Sequence, residues 1–293
     1  MSAKETTQKY EIVEVGTPKR VLAKYLQVEA MQGRARRPLV LSYGAGLDSF
    51  FVLTRIFTDP DPVWQELRER LVAIVHADLG AELPETTWHL EHVAKPLAAE
   101  HGWGITVIRP RLYSGRTEQT YTNVRDYIAG QGFIPARREG NRWCSDKWKI
   151  QPIADWARRE LGLGVYQVDM LIGFEANEKE RRADRIPEKL RPFRALPLVE
   201  LGWTRRAMGE ALKAEGWPCP IKSRCSFCVF SNRSELYEVM DTHPEVYQAD
   251  VEMEAAALAI TSPRREAEGK APFYLFDRSL EDIRARRPQK RAA

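Results

Sequence analysis

The sequence predicts an α/β fold: a parallel, twisted sheet with helices on both faces, followed by a mostly helical C-terminal extension. Two observations carry this. Short apolar runs at 38–42, 71–76, 105–108 and 166–173 alternate with amphipathic stretches of helical length, the pattern of a sheet buried on both sides. The first run also ends in a glycine-rich turn that opens a helix. A chain of 293 residues with 43% hydrophobic and 29% charged residues has material for a sizeable core, which excludes a largely disordered protein.

The elements follow in chain order. Thr17 and Pro18 read as cap and first turn of a helix over Lys19–Met31. Pro38–Ser42 is the first buried strand, and Asp48–Phe57 is a helix stopped by Asp59-Pro60-Asp61-Pro62. Leu71–His76 is the second strand. Pro84–His101 is a long amphipathic helix ended by Gly102, and Ile105–Ile108 is the third strand. Thr117–Ile128 and Ser145–Leu161 read as helices, the latter with Pro152 in its first turn or at a kink. Tyr166–Gly173 is the fourth strand. Beyond Arg185 the alternation fades into a connector with Pro187, Pro192 and Pro197. A helix at Thr204–Glu215, a cysteine segment and helices over Ser234–Ile260 come next. The expected domains are therefore an α/β nucleotide-binding domain at 1–184 and a helical extension at 185–293.

No apolar run approaches the roughly 20 residues of a membrane-spanning helix. The polar N-terminus lacks the apolar stretch of a secretory signal, so the expected compartment is the reducing cytoplasm. The balance of 45 basic and 41 acidic residues leaves a net charge of +4, too mild to dictate a partner. Arg34, Arg36 and Arg37, and Arg284, Arg286, Arg287, Lys290 and Arg291, form basic clusters that would suit a phosphate backbone. A solvated surface and a frayed tail explain them as well. Trp143, Trp148 and Trp203 are core residues or stacking platforms.

The turn Ser42-Tyr43-Gly44-Ala45-Gly46-Leu47-Asp48-Ser49 has the makings of an anion cradle. Gly44 and Gly46 would allow positive φ and close approach, so that several N–H groups point inward. The helix that follows would add its positive end, and Ser42 and Ser49 their hydroxyls. Asp48 suits an anion site only if it orients the loop or meets a metal ion carried by the phosphates. Neither the lysine-bearing phosphate loop nor the GxGxxG spacing is present.

This segment resembles the pyrophosphate loop of the adenine-nucleotide α-hydrolase (PP-loop ATP pyrophosphatase) superfamily, in its phosphoadenosine phosphosulfate (PAPS) reductase-like branch. Three further segments fit in order over roughly residues 38–230. His76-Ala-Asp78-Leu-Gly80-Ala-Glu82 resembles the branch's Asp-Thr-Gly-x-Glu motif, with Leu79 in place of threonine. Arg142-Trp-Cys144-Ser-Asp-Lys147-Trp-Lys149 resembles its cysteine-and-lysine segment. Ile172-Gly173-Phe-Glu175-Ala-Asn-Glu178-Lys-Glu-Arg181 resembles its Gly-Ile-Arg-x-x-Glu-x-x-Arg stretch, with Glu175 where arginine is common.

The resemblance implies cleavage of ATP between the α and β phosphates. A substrate oxygen would attack the α phosphorus, pyrophosphate would leave into the loop, and a sulfur or nitrogen nucleophile would then displace AMP. It assigns Ser42, Gly44, Gly46, Asp48, Ser49, Asp78, Glu82, Gly173, Glu178 and Arg181 to nucleotide binding, with Asp48, Lys147 and Arg181 nearest the chemistry. Mg²⁺ would offset charge, with Asp78 holding it or a nucleotide hydroxyl. The residues alone leave plainer roles open: a loop carboxylate for Asp78, a cap of the Pro84 helix for Glu82, a solvated face for Lys147 and Lys149, and a surface ion pair for Glu178 and Arg181.

All four cysteines fall near these motifs: Cys144, then Cys219, Cys225 and Cys228. The CxxC at 225 and 228 is a good chelate. Zn²⁺, a [4Fe–4S] cluster, a redox dithiol and buried free thiols are all compatible with the count. The layout resembles that of the DndC-type ATPases of DNA phosphorothioation, which implies a cluster on Cys144, Cys219, Cys225 and Cys228. If Cys219 is not a ligand, the three-cysteine arrangement of some tRNA-thiolating members applies, with Lys222 and Arg224 offsetting thiolate charge. The expected function is an ATP pyrophosphatase that activates a substrate, plausibly a nucleic acid, for sulfur insertion. A cysteine desulfurase or other sulfur donor would be its partner, with a second copy of the chain, in a homodimer, as a further candidate. Two alternatives stay open. One is a PAPS or adenylylsulfate reductase, although no cysteine follows Cys228 and no Cys-Cys pair occurs. The other is a non-catalytic nucleotide-binding module with a structural metal.

Overall fold

The computed structural model describes residues 8–16, 37–135, 143–162, 168–177 and 194–288. The expected helix at Lys19–Met31 lies outside them. Among the described residues there are eight strands: β1 (Tyr10–Glu14), β2 (Leu39–Ser42), β3 (Leu71–Ala77), β4 (Ile105–Pro110), β5 (Leu112–Ser114), β6 (Gln119–Tyr121), β7 (Asp169–Leu171) and β8 (Arg194–Ala195). Six of them form one sheet in the order β1-β4-β3-β2-β7-β8. Within it β4, β3, β2, β7 and β8 run parallel. The chain starts this parallel set at β2, builds outward through β3 and β4, then returns to the other side of β2 for β7. The sheet thus has its switch point between β2 and β7, and ligands of open α/β sheets bind outside the carboxyl ends of the strands at such a point.

The chain divides into two compact units: Met1–Asp78, Leu83–Arg109 and Lys147–Ser223 in one, and Leu79–Glu82, Pro110–Asp146 and Arg224–Ala293 in the other. These are not the consecutive domains 1–184 and 185–293 expected from the sequence. The chain leaves the sheet after β4 and comes back to it for β7, so each unit is assembled from interleaved segments. The expected boundary itself falls within 178–193, outside the described residues.

In the sheet unit, the helix α1 (Leu47–Thr58) buries Phe50, Phe51, Val52, Leu53 and Ile56. A helix apolar on nearly every side is a core helix. Asp59-Pro60 ends it, and Asp61 caps α2 (Pro62–Arg70) by accepting from Val63 N at 2.8 Å. The helix α3 runs through Pro84–His89, a π turn at Leu90–Ala94 and Lys95–Glu100. A second π turn, Asp146–Ile150, precedes Gln151–Glu160 in α5, which begins at Trp143. Both π turns lie just before a proline, Pro96 or Pro152. Proline cannot donate to the carbonyl four residues back, and the widened turn takes up the fault. Trp148 is buried and Trp203 packs against the core, so these two rings are not platforms.

β1 was not anticipated. Only Tyr10 of its residues is fully buried while Ile12 and Val13 are exposed, so it offers no apolar run. It is anchored instead by polar contacts: Tyr10 Oη donates to Glu160 at 2.9 Å and Lys9 N to Asp155 at 3.1 Å. The short helix α6 (Pro197–Glu200) and α7 (Arg205–Ala214) also belong to this unit. Thr204 Oγ1 accepts from Ala207 N at 3.3 Å as the α7 cap.

The second unit replaces the helix expected at Thr117–Ile128 with a hairpin, β5 and β6, followed by α4 (Val124–Gln131). Thr117, Thr120 and Thr122 favour extended chain. Asn123 then starts the helix by accepting from Arg125 N at 2.8 Å, and Gly132 ends it at φ 65°. The helix α8 (Arg233–Thr242) has a reciprocal cap, Glu235 N to Asn232 and Asn232 N to Glu235, both 2.9 Å. The helix α9 (Pro244–Ala267) continues past the expected Ile260, and α10 (Leu280–Ala285) ends the unit. Buried Glu254 on α9 accepts from Leu275 N at 2.9 Å and Leu280 N at 2.6 Å. It thereby ties down the irregular stretch between α9 and α10. Among the described residues no helix is long and apolar enough to cross a membrane.

His89 on α3 is buried, donates through Nε2 to Pro218 O at 2.9 Å and meets Phe50 edge-on at 4.5 Å. Burial lowers its pKa. The unfolded chain therefore takes up this proton first, so His89 adds stability above about pH 6.5 and loses it as pH falls below that value. Asp250 works the other way: burial raises it to about 6, so below that pH its protonation favours the fold. Relative to His89→Gln, the wild type is expected to lose melting temperature as pH falls from 7 to 6, read by calorimetry; equal slopes in the two proteins would refute it.

Candidate active site

The turn after β2 continues the sheet by one residue, because Tyr43 N donates to Val75 O at 2.9 Å. Its side chain is buried, and burial pushes its hydroxyl pKa well up. The chain then bends at Ala45, which adopts φ 54°. This corrects the expectation that the glycines supply positive φ: Gly46 has φ −112°, and Gly44 is not in that region. Gly46 is needed for space, since a Cβ there would sit 3.2 Å from Ser223 Cβ and 3.3 Å from Ser223 N. Gly44 has room, its nearest neighbour being Ser49 Oγ at 3.7 Å.

Ser49 is already engaged. Its hydroxyl accepts from Gly46 N at 3.3 Å and lies 3.1 Å from Gly46 O, to which it donates. It caps the first turn of α1 instead of presenting a free proton, as the sequence reading had it. The first amides of α1 have no helical partner, and with Ser42 half-buried at the strand end they form the donor-rich mouth of the loop.

Asp48 is held by a guanidinium fork: Arg205 Nε is 3.2 Å from Oδ1 and Nη2 is 3.0 Å from Oδ2. Arg205 N also donates to Glu175 Oε2 at 2.9 Å. Asp48 is thereby tied to the first turn of α7. Gly173 follows β7, and a Cβ there would lie 2.7 Å from Asp48 C and 2.8 Å from Ser49 N. The loops after β2 and β7 thus touch backbone to backbone, with the start of α7 closing on both, at the sheet's switch point.

Arg205 escaped the sequence reading. Its signal was a cation in the first turn of a helix, where the dipole disfavours positive charge; such a residue needs a carboxylate partner. Glu175, the departure from the arginine common at that position, is one such partner.

Asp78 follows β3, with its N donating to Ile108 O at 2.9 Å and its carboxylate accepting from Arg109 Nε at 2.8 Å. Glu82 belongs to the second unit, where its backbone bridges to Cys225. It is not the cap of the Pro84 helix, whose N-cap is Leu83 without a side-chain hydrogen bond. Lys147 is exposed on the π turn of α5. Arg142, Glu178 and Arg181 lie outside the described residues.

The cysteines divide between the units. Cys219 is in the sheet unit, where its thiol lies 3.7 Å from Gly209 O and packs against the core. Cys144, Cys225 and Cys228 belong to the second unit. Cys228 N donates to Cys225 O at 3.1 Å, folding the CxxC into a tight turn. Burial, and then the charge of Cys228, push the Cys144 thiol up. Two arginines clamp this turn. Arg125 donates to Ser226 Oγ at 3.1 Å and Asp250 Oδ1 at 2.9 Å. Arg224, itself buried, donates to Ser231 Oγ at 3.3 Å and Glu235 O at 3.1 Å. Three thiols are the soft donors that zinc and iron prefer. Among the described residues, however, no three His, Cys, Asp or Glu side chains are gathered closely enough to hold a metal ion. The chain matches no family model, no curated protein and no solved structure.

Proposed function

We propose that the chain is an ATP pyrophosphatase that adenylates a substrate oxygen, in a nucleic acid, in preparation for sulfur insertion. One observation carries this reading. A donor-rich turn opens a 12-residue helix at the switch point of a parallel sheet, and its single carboxylate, Asp48, is neutralised by Arg205. A strand-to-helix turn with its acid already paired offers amides and a helix end to an anion.

In the proposed reaction a substrate oxygen attacks the α phosphorus of ATP, and the bond from that phosphorus to the oxygen bridging to the β phosphorus breaks. The electron pair leaves with pyrophosphate, whose charge the first amides of α1, at Leu47 and Asp48, would face. The work is positioning and electrostatics. Mg²⁺ arrives on the phosphates of ATP; the carboxylates of Asp48 and Asp78 are each held by an arginine, and no step is assigned to them as its ligands. Sulfur then displaces AMP. For the sulfur half, Cys144, Cys225 and Cys228 are the candidate ligands of a cluster or zinc ion, but among the described residues they are not gathered as a site and no step is routed through such a group.

The test is a product assay with ATP, Mg²⁺ and single-stranded or duplex oligonucleotides, with and without a cysteine desulfurase. AMP and pyrophosphate in equal amounts are expected. Gly46→Val, which drives a branched side chain into Ser223, is expected to abolish nucleotide affinity by calorimetry. ADP and phosphate as products, or no ATP binding by the wild type, would overturn the reading.

A further inference from the structure

The hairpin of the second unit has one covered face and one bare face. On the covered face Leu112 is buried opposite Tyr121, whose ring meets Tyr127 of α4 edge-on at 6.1 Å. Ser114 on the same face hydrogen-bonds Gln131 at the end of α4. Strand alternation then sends Tyr113 and its cross-strand partner Thr120 outward. Tyr113 is 63% exposed, the most exposed aromatic ring among the described residues. Arg111, two residues before it, and Arg116, in the hairpin turn, are also exposed. Neither pairs with a carboxylate among the described residues, and together they outnumber the single acid of the turn, Glu118.

This differs from the other arginine-rich surface of the unit. Near the C-terminus, Arg233 pairs with Asp277, Arg284 with Glu281 and Arg287 with Asp241. Those cations are already spent on the protein's own acids. The hairpin's are not.

We propose that the outer face of the hairpin binds single-stranded nucleic acid, with a base stacked on Tyr113 and flanking phosphates met by Arg111 and Arg116. A flat ring standing out from a two-stranded ribbon has little to gain from a duplex, whose base faces are covered. An unstacked base presents a matching π face, and Arg-flanked aromatic platforms are the usual means of holding one. Two residues of strand separate Arg111 from Tyr113, about 7 Å, so one strand of nucleic acid engages both. Thr120 beside the ring gives a polar rim without added bulk. This surface stands apart from the ATP reading: it predicts binding whether or not the chain cleaves ATP, and it supplies that reaction with a substrate class if it does.

The test is fluorescence anisotropy of the full chain with a labelled single strand of about 15 nucleotides, within the range such surfaces cover, and with the matching duplex. The wild type is expected to prefer the single strand. Tyr113→Ala is expected to weaken it by about tenfold or more, the loss of one stacked base. Arg111→Gln and Arg116→Gln should each reduce the salt slope by about 0.7, one phosphate contact on a single strand. All three positions are solvent-facing, and far-ultraviolet circular dichroism checks that the variants stay folded. Equal or tighter binding to duplex, or full affinity in Tyr113→Ala, would overturn the proposal. Nucleotide binding measured on the same variants is expected to be unchanged. Loss of ATP binding in the wild type would sink only the catalytic reading.

Discussion

Gly173→Ala is expected to reduce pyrophosphate release by about a hundredfold, the cost of misplacing reacting groups by an ångström. The added methyl would sit 2.7 Å from Asp48 C, 2.8 Å from Ser49 N and 2.9 Å from Asp48 O. These are backbone atoms at the first turn of α1, and no side chain can swing aside to relieve the contact. The turn must move, and its amides move with it. Global stability is expected to change less, because Gly173 lies beyond the end of β7 and does not require positive φ. The measurement is a ratio: kcat/KM for ATP falls steeply while the melting temperature shifts by a few degrees. Wild-type activity in this variant would show that the contact between the two loops has no part in the reaction.

Arg205→Gln is expected to weaken ATP binding by about ten- to a hundredfold. The substitution leaves Asp48 without its guanidinium fork and Glu175 without the guanidinium 3.8 Å away, although the Arg205 backbone N still reaches Glu175. Unit charges about 5 Å apart near a surface interact by about 3 kcal/mol, so an unneutralised carboxylate beside the loop opposes a polyphosphate. Removing the acid as well, in Asp48→Asn with Arg205→Gln, should recover part of the affinity. Arg205→Lys should recover less, because an ammonium cannot reproduce the two-pronged contact. Titration calorimetry on the wild type, Arg205→Gln, Asp48→Asn and the double variant forms a double-mutant cycle. A coupling near zero would mean that Arg205 is only a surface ion-pair partner, consistent with its 43% side-chain exposure.

The parallel core of the fold was legible because β2, β3 and β4 are buried on both faces and read as unbroken apolar runs. A helix stop at Asp59-Pro60 and a helix start at Thr204 were legible too, since each carries its own chemistry. β8 is two residues long, and β1 is an edge strand with a single fully buried ring, so neither had a pattern to read. The hairpin was misread because Thr117–Ile128 runs into the first residues of α4, and nothing local separates its capped start from the extended threonines before it. At the site, the loop and Gly173 were named from sequence, but the reason each glycine matters was not. Positive φ fell to Ala45, and Gly46 and Gly173 answer to neighbours distant in the chain. Arg205 could be recognised only once folding had placed it on Asp48. The cysteines illustrate the same limit: proximity in sequence grouped Cys219 with Cys225 and Cys228, whereas the chain's division puts Cys219 in the sheet unit.

Glu254 shows how little a loop needs in order to be specified. The stretch from Gly269 to Ser279 has neither ladder nor helix of its own, yet one carboxylate gathers its end and its middle through two amides. Amides are common to every residue but proline. The hold on the backbone at 275 and 280 therefore depends on Glu254 and on no particular side chain at those two positions.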